Sequence, residues 1–285
     1  MAIEKSLRGK AKSLVLTGYG INSEIETAYA NTLAGAEAKI AHINDVIDGL
    51  VKIDDYHLLN FPGGFSYGDD LGSGKAFANK VLYSKTPTGP MINHIQKFID
   101  DGKLIIGICN GFQILIKMGL LPAFNRDYTK QTATLFYNDK GFRDAWVRLK
   151  ANPRSPCVFT RGIDRIDMPV RHGEGKFIPG SREVLDRLWK HGHVVLQYTD
   201  RAYQPTQEYP DNPNGSTDAI AGICDEGGRV FGLMPHPEAF NHITNHPQYT
   251  RIREEHARRD VPLKDEGDGI KVWRNAVEYI EEKLV

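Results

Sequence analysis

The fold of this chain is decided by residues 103–120, which read KLIIGICNGFQILIKMGL. The short apolar run LIIGI, rich in β-branched residues, predicts a strand buried on both faces of a sheet. The residues after it predict a helix, and Gly107 and Gly111 flank Cys109 at the junction. Small residues on either side let the backbone turn sharply and hold the central side chain out over the sheet edge. The pattern therefore indicates a nucleophile elbow.

Two interpretations of Cys109 follow from this position. The positive end of the following helix favours thiolate over thiol, as a catalytic cysteine requires. The alternative is a buried structural cysteine in a βα turn, which is the commoner fate of a free cysteine. The choice between them depends on whether the chain supplies a base for the sulfur.

Length, composition and charge are those of an ordinary globular chain. It has 285 residues, of which 40% are hydrophobic and 25% charged, and its formal net charge is zero, so no nucleic-acid partner is expected. Its three cysteines form no CxxC pair, so no disulfide framework or metal site is indicated and a cytoplasmic location is expected. We expect no signal peptide, because the N-terminal residues include basic ones but no apolar core. We expect no membrane helix, because no stretch approaches the roughly 20 apolar residues that one needs.

Alternating strand and helix patterns in the first half predict a parallel sheet. Strands are predicted at 13–17, 38–43 and 56–61, and helices at 23–33 and 91–101. This order of βα units favours parallel strands flanked by helices.

The second half favours a smaller antiparallel portion. Its predicted strands lie at 134–150, 157–163, 193–198, 219–224 and 229–234, with a helix at 181–190. A polar insertion at 241–269 and a terminal helix at 270–285 follow. Because no repeat or Gly/Ser-rich linker divides the chain, the sequence predicts a single α/β domain over 1–285, an open, mostly parallel sheet flanked by helices.

A candidate base for Cys109 lies near the C-terminus. His236 and Glu238 follow the strand at 229–234, and in an extended segment residues i and i+2 share a face, so Glu238 can fix the tautomer of His236. Ligand chemistry in open α/β sheets lies at the carboxyl ends of the strands, where Cys109, His236 and the Gly-Gly pair after 56–61 all fall. The combination predicts a Cys-His-Glu enzyme.

The charge that develops in such a reaction indicates two further groups. Attack of a thiolate on an amide carbonyl creates an oxyanion, which needs preorganised N–H donors. The candidates are the backbone N–H groups of Asn110, at the helix start, and of Gly64, in the glycine loop. His236 would protonate the leaving amine and later activate water against the acyl-enzyme.

Five motifs together resemble one enzyme family. They are ICNGFQIL, FPGGFSYGDDLGSG, RHGEGKF, NPNGSTDAIAGIC and GLMPHPE. With them the chain resembles the glutamine amidotransferase subunits of phosphoribosylformylglycinamidine synthases, a branch of the class I, triad-type glutamine amidotransferases. The resemblance implies that Cys109 is the nucleophile, His236 the base and Glu238 its partner.

The resemblance also implies a set of residues that bind glutamine. They are Gly63, Phe65, Gln113, His172 and Gly173. Gln113 lies one helical turn past the nucleophile, and the alternative reading is a capped polar residue on the elbow helix. His172 and Gly173 are expected at the rim of the pocket.

The function implied by the resemblance is hydrolysis of L-glutamine. The ammonia would pass to a separate ATP-dependent synthetase subunit that converts formylglycinamide ribonucleotide to formylglycinamidine ribonucleotide in de novo purine biosynthesis. No ATP site is visible in the sequence, so no cofactor is expected in this chain, and ATP and Mg²⁺ are expected on the synthetase. A small third subunit is the other partner to consider.

Two alternatives remain open. One is a class I amidotransferase or cysteine hydrolase that serves a different acceptor. The other is a non-catalytic regulatory subunit on the same fold. Glutamine hydrolysis, measured with and without candidate partners, separates them.

Overall fold

The computed structural model describes residues 10–285, so the first nine residues, where no signal peptide is expected, lie outside it. The strands of the described part are β1 (Lys12–Thr17), β2 (Glu37–His42), β3 (Leu58–Phe61), β4 (Lys85–Thr86), β5 (Gly89–Pro90), β6 (Leu104–Ile108), β7 (Ala133–Phe136), β8 (Arg143–Ala151), β9 (Arg165–His172), β10 (Lys176–Pro179), β11 (Val194–Thr199), β12 (Ile220–Cys224) and β13 (Val230–Leu233). Its helices are α1 (Glu24–Leu33), α2 (Ile43–Ile47), α3 (Lys75–Tyr83), α4 (Met91–Asp100), α5 (Asn110–Lys117), α6 (Arg182–Lys190), α7 (Tyr249–Arg258) and α8 (Lys271–Lys283).

One large open sheet organises these elements. Its nine strands lie in the order β2-β1-β3-β6-β13-β12-β11-β8-β9. The neighbours from β2 to β13 are parallel, and those from β13 to β9 are antiparallel. The predicted α/β fold is confirmed, with the parallel strands in the first part of the order and the antiparallel portion appended beyond β13.

The strand before the elbow, β6, lies in the middle of the parallel part. Each of its five residues is buried, as its β-branched composition predicts. It pairs with β3 on one side and β13 on the other, so Gly107 is opposite both Phe61 and Gly232. The carboxyl ends of three parallel strands therefore meet beside Cys109.

Amphipathic helices cover the sheet. Helix α4 buries Met91, Ile95, Phe98 and Ile99, whose spacing places them in one stripe along the helix. The terminal helix α8 likewise buries Trp273 and its apolar neighbours in the same hydrophobic core. The sheet that carries the elbow thus shares one hydrophobic core with these helices.

Two strand predictions in the second half are corrected by the structure. The stretch 134–150 is two strands, β7 and β8, separated by a turn, and β7 pairs with β10 outside the main sheet. The stretch 157–163 is not a strand but contains a 3₁₀ turn at Val158–Thr160. Its apolar residues are buried beside α8, and the carbonyls of Phe159 and Arg161 accept hydrogen bonds from the Asn275 side chain instead of a neighbouring strand.

The polar segment at 241–269 contains one regular helix, α7. It also contains a 3₁₀ turn at Ile243–Asn245 and a bridge between His242 and Glu266. No helix within residues 10–285 combines the length and apolar character needed to cross a membrane.

Candidate active site

The backbone at Cys109 has the strained geometry of a nucleophile elbow. Cys109 lies between β6 and α5 with φ 51° and ψ −105°, a region that L-residues other than glycine rarely occupy. The turn requires glycine at position 111, since a Cβ there would lie 1.8 Å from the carbonyl oxygen of Phe61. The sulfur therefore lies at the start of α5, where the positive end of the helix favours a thiolate.

His236 and Glu238 form a buried pair beside this sulfur. Nδ1 of His236 lies 2.5 Å from Oε1 of Glu238, and their side chains are 6% and 2% exposed. The Cys109 thiol lies 3.7 Å from the carbonyl oxygen of Arg171, at the end of β9. The His236 backbone N–H donates to the carbonyl of Pro169 in the same strand, which positions the imidazole.

The electrostatics of this pair favour a charged imidazole. Burial alone disfavours the cation, but the negative charges of Glu238 and of the Cys109 sulfur outweigh it and raise the pKa of His236 to about 10. Nε2 of His236 has no hydrogen-bond partner among the described residues. The arrangement can hold a thiolate–imidazolium pair, in which the nucleophile is already deprotonated.

A cavity of about 240 Å³ opens beside the sulfur. It is lined by Gly64, Phe65, Asp69, Ser73, Cys109, Gln113, Tyr137, Gly141, Phe142, His172, Gly173 and Glu174. Of the residues that the sequence indicates for glutamine binding, four lie in this lining. Gly63 does not, because it packs against the imidazole, where a Cβ would lie 2.8 Å from Cε1 of His236.

Asn110 and Gln113 tie the elbow helix to the loops around the cavity. The Asn110 side-chain nitrogen donates to Oε1 of Gln113 at 2.9 Å, and its oxygen accepts from the backbone N–H of Ser66 at 3.3 Å. The Gln113 side-chain nitrogen donates to the Glu174 carbonyl at 2.5 Å. The Gln113 amide is therefore already hydrogen-bonded at both ends before any substrate enters.

The backbone N–H of Gly64 is held in a fixed direction. The Gly63 carbonyl accepts from the N–H groups of Asn22 and Ser23, at 3.2 and 3.3 Å. Because the Gly63 carbonyl and the Gly64 N–H belong to one planar peptide and point oppositely, these bonds also orient the N–H. The N–H of Asn110 is in the first turn of α5, where no carbonyl of the helix can accept from it. Neither of these two N–H groups, the candidate oxyanion donors, therefore donates to a carbonyl of the helices and strands described.

His172 is buried as a neutral imidazole. Its Nδ1 lies 3.1 Å from the side-chain nitrogen of Asn138, whose oxygen accepts from the N–H of Gly175 at 2.8 Å. That bond fixes which end of the amide faces the ring, so the Asn138 nitrogen lies against Nδ1. Burial, together with the charge of His236, lowers the pKa of His172 to about 3.

The buried His172 predicts acid sensitivity. Above its ordinary pKa of 6.5, both folded and unfolded chains hold the ring neutral; below it, only the unfolded chain binds the proton, so stability falls as the pH drops. We expect His172→Asn to reduce the slope of unfolding free energy against pH by about 1.4 kcal/mol per unit below pH 6.5.

Urea unfolding at a series of pH values measures this slope. His191→Asn is the matched control, because His191 is exposed. An equal change of slope in the two variants would contradict the assignment to His172.

Six lining residues were not indicated by the sequence. They are Asp69, Ser73, Tyr137, Gly141, Phe142 and Glu174. For two of them the sequence contains a pattern that could have indicated a place in the site. Asp69 is an acid inside the glycine-rich loop, and Glu174 follows His172 in the RHGEGKF motif. No group of three or more His, Cys, Asp or Glu side chains in residues 10–285 is arranged to hold a metal ion.

Comparison with known proteins identifies the family. The model of the CobB/CobQ-like glutamine amidotransferase domain matches residues 10–280. The chain belongs to this family. Its elbow cysteine and buried His-Glu pair are therefore parts of a glutamine amidotransferase domain.

Two relatives of similar sequence carry the same description. The chain is 44% identical over 272 residues to the phosphoribosylformylglycinamidine synthase subunit PurQ of Methanococcus maripaludis, covering 94% of this chain and 97% of that protein. It is 45% identical over 271 residues to the protein of the same description from Dehalococcoides mccartyi, covering 95% and 98%. A chain in the solved structure of PurLQS from Thermotoga maritima matches with a TM-score of 0.67 and 30% identity, covering 95% of this chain and 100% of that one.

Proposed function

We propose that this chain is the glutaminase subunit of a phosphoribosylformylglycinamidine synthase and that Cys109, His236 and Glu238 are its catalytic triad. The observation that carries the proposal is the buried His236–Glu238 pair beside an elbow cysteine, at a cavity of about 240 Å³. The similarity to PurQ subunits over 94% of the chain supports the choice of acceptor reaction.

The first half of the reaction transfers the acyl group to sulfur. Cys109 Sγ attacks the carboxamide carbon of glutamine, and the negative charge moves to the carbonyl oxygen. The N–H groups of Gly64 and Asn110 stabilise that oxyanion. His236 gives its proton to the amide nitrogen, the carbon–nitrogen bond breaks, and ammonia leaves a thioester on Cys109.

The second half returns the free enzyme. His236, now neutral, takes a proton from water, and the hydroxide oxygen attacks the thioester carbon. The carbon–sulfur bond breaks, glutamate leaves, and the proton restores the imidazolium beside the Cys109 thiolate. Glu238 holds the same nitrogen of the ring throughout and stabilises its cation.

The acceptor chemistry belongs to a partner. The ammonia passes to a synthetase subunit, which binds ATP and Mg²⁺ and converts formylglycinamide ribonucleotide to formylglycinamidine ribonucleotide. A small third subunit completes the assembly, in line with the PurLQS complex in which a similar chain occurs. A cytoplasmic location suits a chain whose Cys109, Cys157 and Cys224 are all unpaired thiols.

Reconstitution tests the proposal. The chain is combined with the synthetase and small subunit of its own organism, and glutamine-dependent formation of formylglycinamidine ribonucleotide is followed. We expect product only when all substrates and the partners are present. Glutamine hydrolysis without amidine formation would indicate a different acceptor, and no hydrolysis at all would indicate a non-catalytic subunit.

The fixed direction of the Gly64 N–H leads to a prediction. At φ +152°, a Cβ on residue 64 would lie 2.5 Å from the Gly20 carbonyl oxygen and 2.7 Å from Cα of Ile21, so the loop must shift. The shift withdraws the oxyanion donor, and we expect Gly64→Ala to lower kcat about 100- to 1,000-fold.

Steady-state glutaminase activity of the reconstituted complex measures this effect. Gly72→Ala is the control, because Gly72 also has a positive φ (+89°) but nothing within 4 Å of an added Cβ, and it lies outside the cavity lining. The control variant should keep a kcat close to that of the unchanged chain. Equal losses in the two variants would show that loop strain, not a lost donor, is responsible.

A further inference from the structure

A second cavity borders the far end of the elbow helix. It has a volume of about 490 Å³ and lies between helices α3 and α4, at the C-terminal end of α5. The catalytic cavity and this second cavity have no lining residue in common. The second cavity is therefore a separate site, and its volume is within the range of sites that bind small molecules.

The lining of the second cavity is positively charged. Among the described residues that form it, Lys75 and Lys117 are the only ones with charged side chains. Neither lysine forms a salt bridge with any residue in the described part of the chain. Lys75 is the first residue of α3 and Lys117 the last of α5. Two helices thus bring two cations to one cavity that has no carboxylate in its lining, and such a cavity attracts an anion.

The two ammonium groups repel each other. Burial lowers the pKa of Lys117, the charges of Glu174 and Asp69 oppose that shift, and the charge of Lys75 adds to it. Both carboxylates belong to the catalytic cavity, where Ser73 donates to each of them, and neither lines the second cavity. An anion that binds between the lysines removes the repulsion.

Neutral polar groups accompany the lysines. The side-chain amides of Asn79, Asn93 and Gln96 belong to the lining, and none of them forms a hydrogen bond with another described residue. Asn79 is one helical turn after Lys75, on the same face of α3. Each amide can donate to a phosphate or sugar oxygen and can both donate to and accept from the edge of a base.

An exposed aromatic ring continues the same face of α3. Tyr83 lines the second cavity, and 79% of its surface is exposed. It is eight residues after Lys75, which is about 12 Å along the helix axis and close to the length of a mononucleotide. Leu82 and Ile92 add apolar surface to the lining. A base can stack on such a ring whatever its identity, because every base has a π-face.

We infer that the second cavity binds a nucleoside monophosphate, with its phosphate between Lys75 and Lys117 and its base against Tyr83. A phosphate monoester carries nearly two negative charges at pH 7, which matches the two ammonium groups. The ammonium of Lys117 also donates to the carbonyl of Ser73, so the ligand lies next to the loop that borders the catalytic cavity. The inference goes beyond the proposed glutaminase function and does not depend on it.

The test measures equilibrium binding of adenosine monophosphate to the full chain by isothermal titration calorimetry. Inorganic phosphate and adenosine, titrated separately, report the two ends of the ligand. The variants are Lys75→Met, which removes the charge but keeps an unbranched side chain, and Tyr83→Ala. The matched controls are Lys80→Met, in the same helix and also without a salt bridge, and Tyr29→Ala, which removes another exposed ring. Neither control residue lines the second cavity.

We expect adenosine monophosphate to bind the unchanged chain with a Kd below about 1 mM. Phosphate and adenosine should each bind at least about 10-fold more weakly, because each fills one end of the site. Lys75→Met should raise the Kd of the nucleotide about 10-fold through the lost charge-assisted contact. Tyr83→Ala should raise it by about the same factor through lost stacking. The two controls should leave it unchanged.

Four results would overturn the inference. The first is the absence of nucleotide binding up to about 10 mM, which is far above the affinity expected of a built site. Phosphate that binds as tightly as the nucleotide would show a site for an anion alone, and adenosine that does so would show that the lysines hold no phosphate. Equal losses in Lys75→Met and Lys80→Met would show attraction by overall charge in place of a defined site.

Discussion

Replacing Cys109 with alanine is expected to abolish glutamine hydrolysis, by at least about 10,000-fold, while the ammonia-driven reaction of the complex continues. The variant deletes the attacking sulfur, its weak hydrogen bond to the Arg171 carbonyl and its electrostatic contact with His236. Alanine has the same Cβ as cysteine, so it adds no clash to the strained backbone at position 109, where φ is 51°. The elbow should therefore fold without the sulfur.

The measurement is product formation by the reconstituted complex, with either glutamine or an ammonium salt as nitrogen source. Cys157→Ala and Cys224→Ala are matched controls, because both thiols are buried but lie outside the cavity lining. The controls should support both reactions. Loss of the ammonium-driven reaction in Cys109→Ala would show that this cysteine is structural.

The elbow was predictable because its determinants are local. A β-branched strand, small residues around Cys109 and the following helix pattern all fall within residues 103–120. The placement of His236 followed from one general rule, that ligands bind at the carboxyl ends of parallel strands. The sheet order confirms the premise, since β3, β6 and β13 are adjacent.

The rest of the cavity was not predictable because its determinants are long-range. Ser73 bonds to Glu174, and Asn138 orients His172, through side-chain contacts that no periodic pattern encodes. The strand predicted at 157–163 was wrong for a related reason. Its apolar residues are buried by a helix more than a hundred residues away, and burial alone does not distinguish a strand from a turn.

His236→Ala is expected to lower kcat about 10,000-fold, and Glu238→Gln about 100-fold. The first variant removes the base and the acid of both half-reactions. The second is milder because Oε2 of Glu238 has no partner among the described residues, so a glutamine can place its NH₂ there. Its oxygen then stays on Nδ1 and preserves the tautomer of His236.

The pH profile separates this role of Glu238 from a merely structural one. The negative charge of Glu238 raises the pKa of His236, so its removal must lower that pKa. The alkaline limb of kcat/KM, where His236 loses its proton, should therefore move to lower pH in Glu238→Gln. A reduced rate with an unmoved limb would contradict charge stabilisation of the imidazolium.

The double variant is the control for this pair. If Glu238 acts only through His236, then His236→Ala with Glu238→Gln should be no slower than His236→Ala alone, because the carboxylate has no imidazole left to orient or stabilise. Independent roles would instead multiply the two losses, to about a million-fold. The 2.5 Å contact between Nδ1 and Oε1, buried on both sides, favours the first result. A further 100-fold loss in the double variant would show that Glu238 supports the active site by some other path.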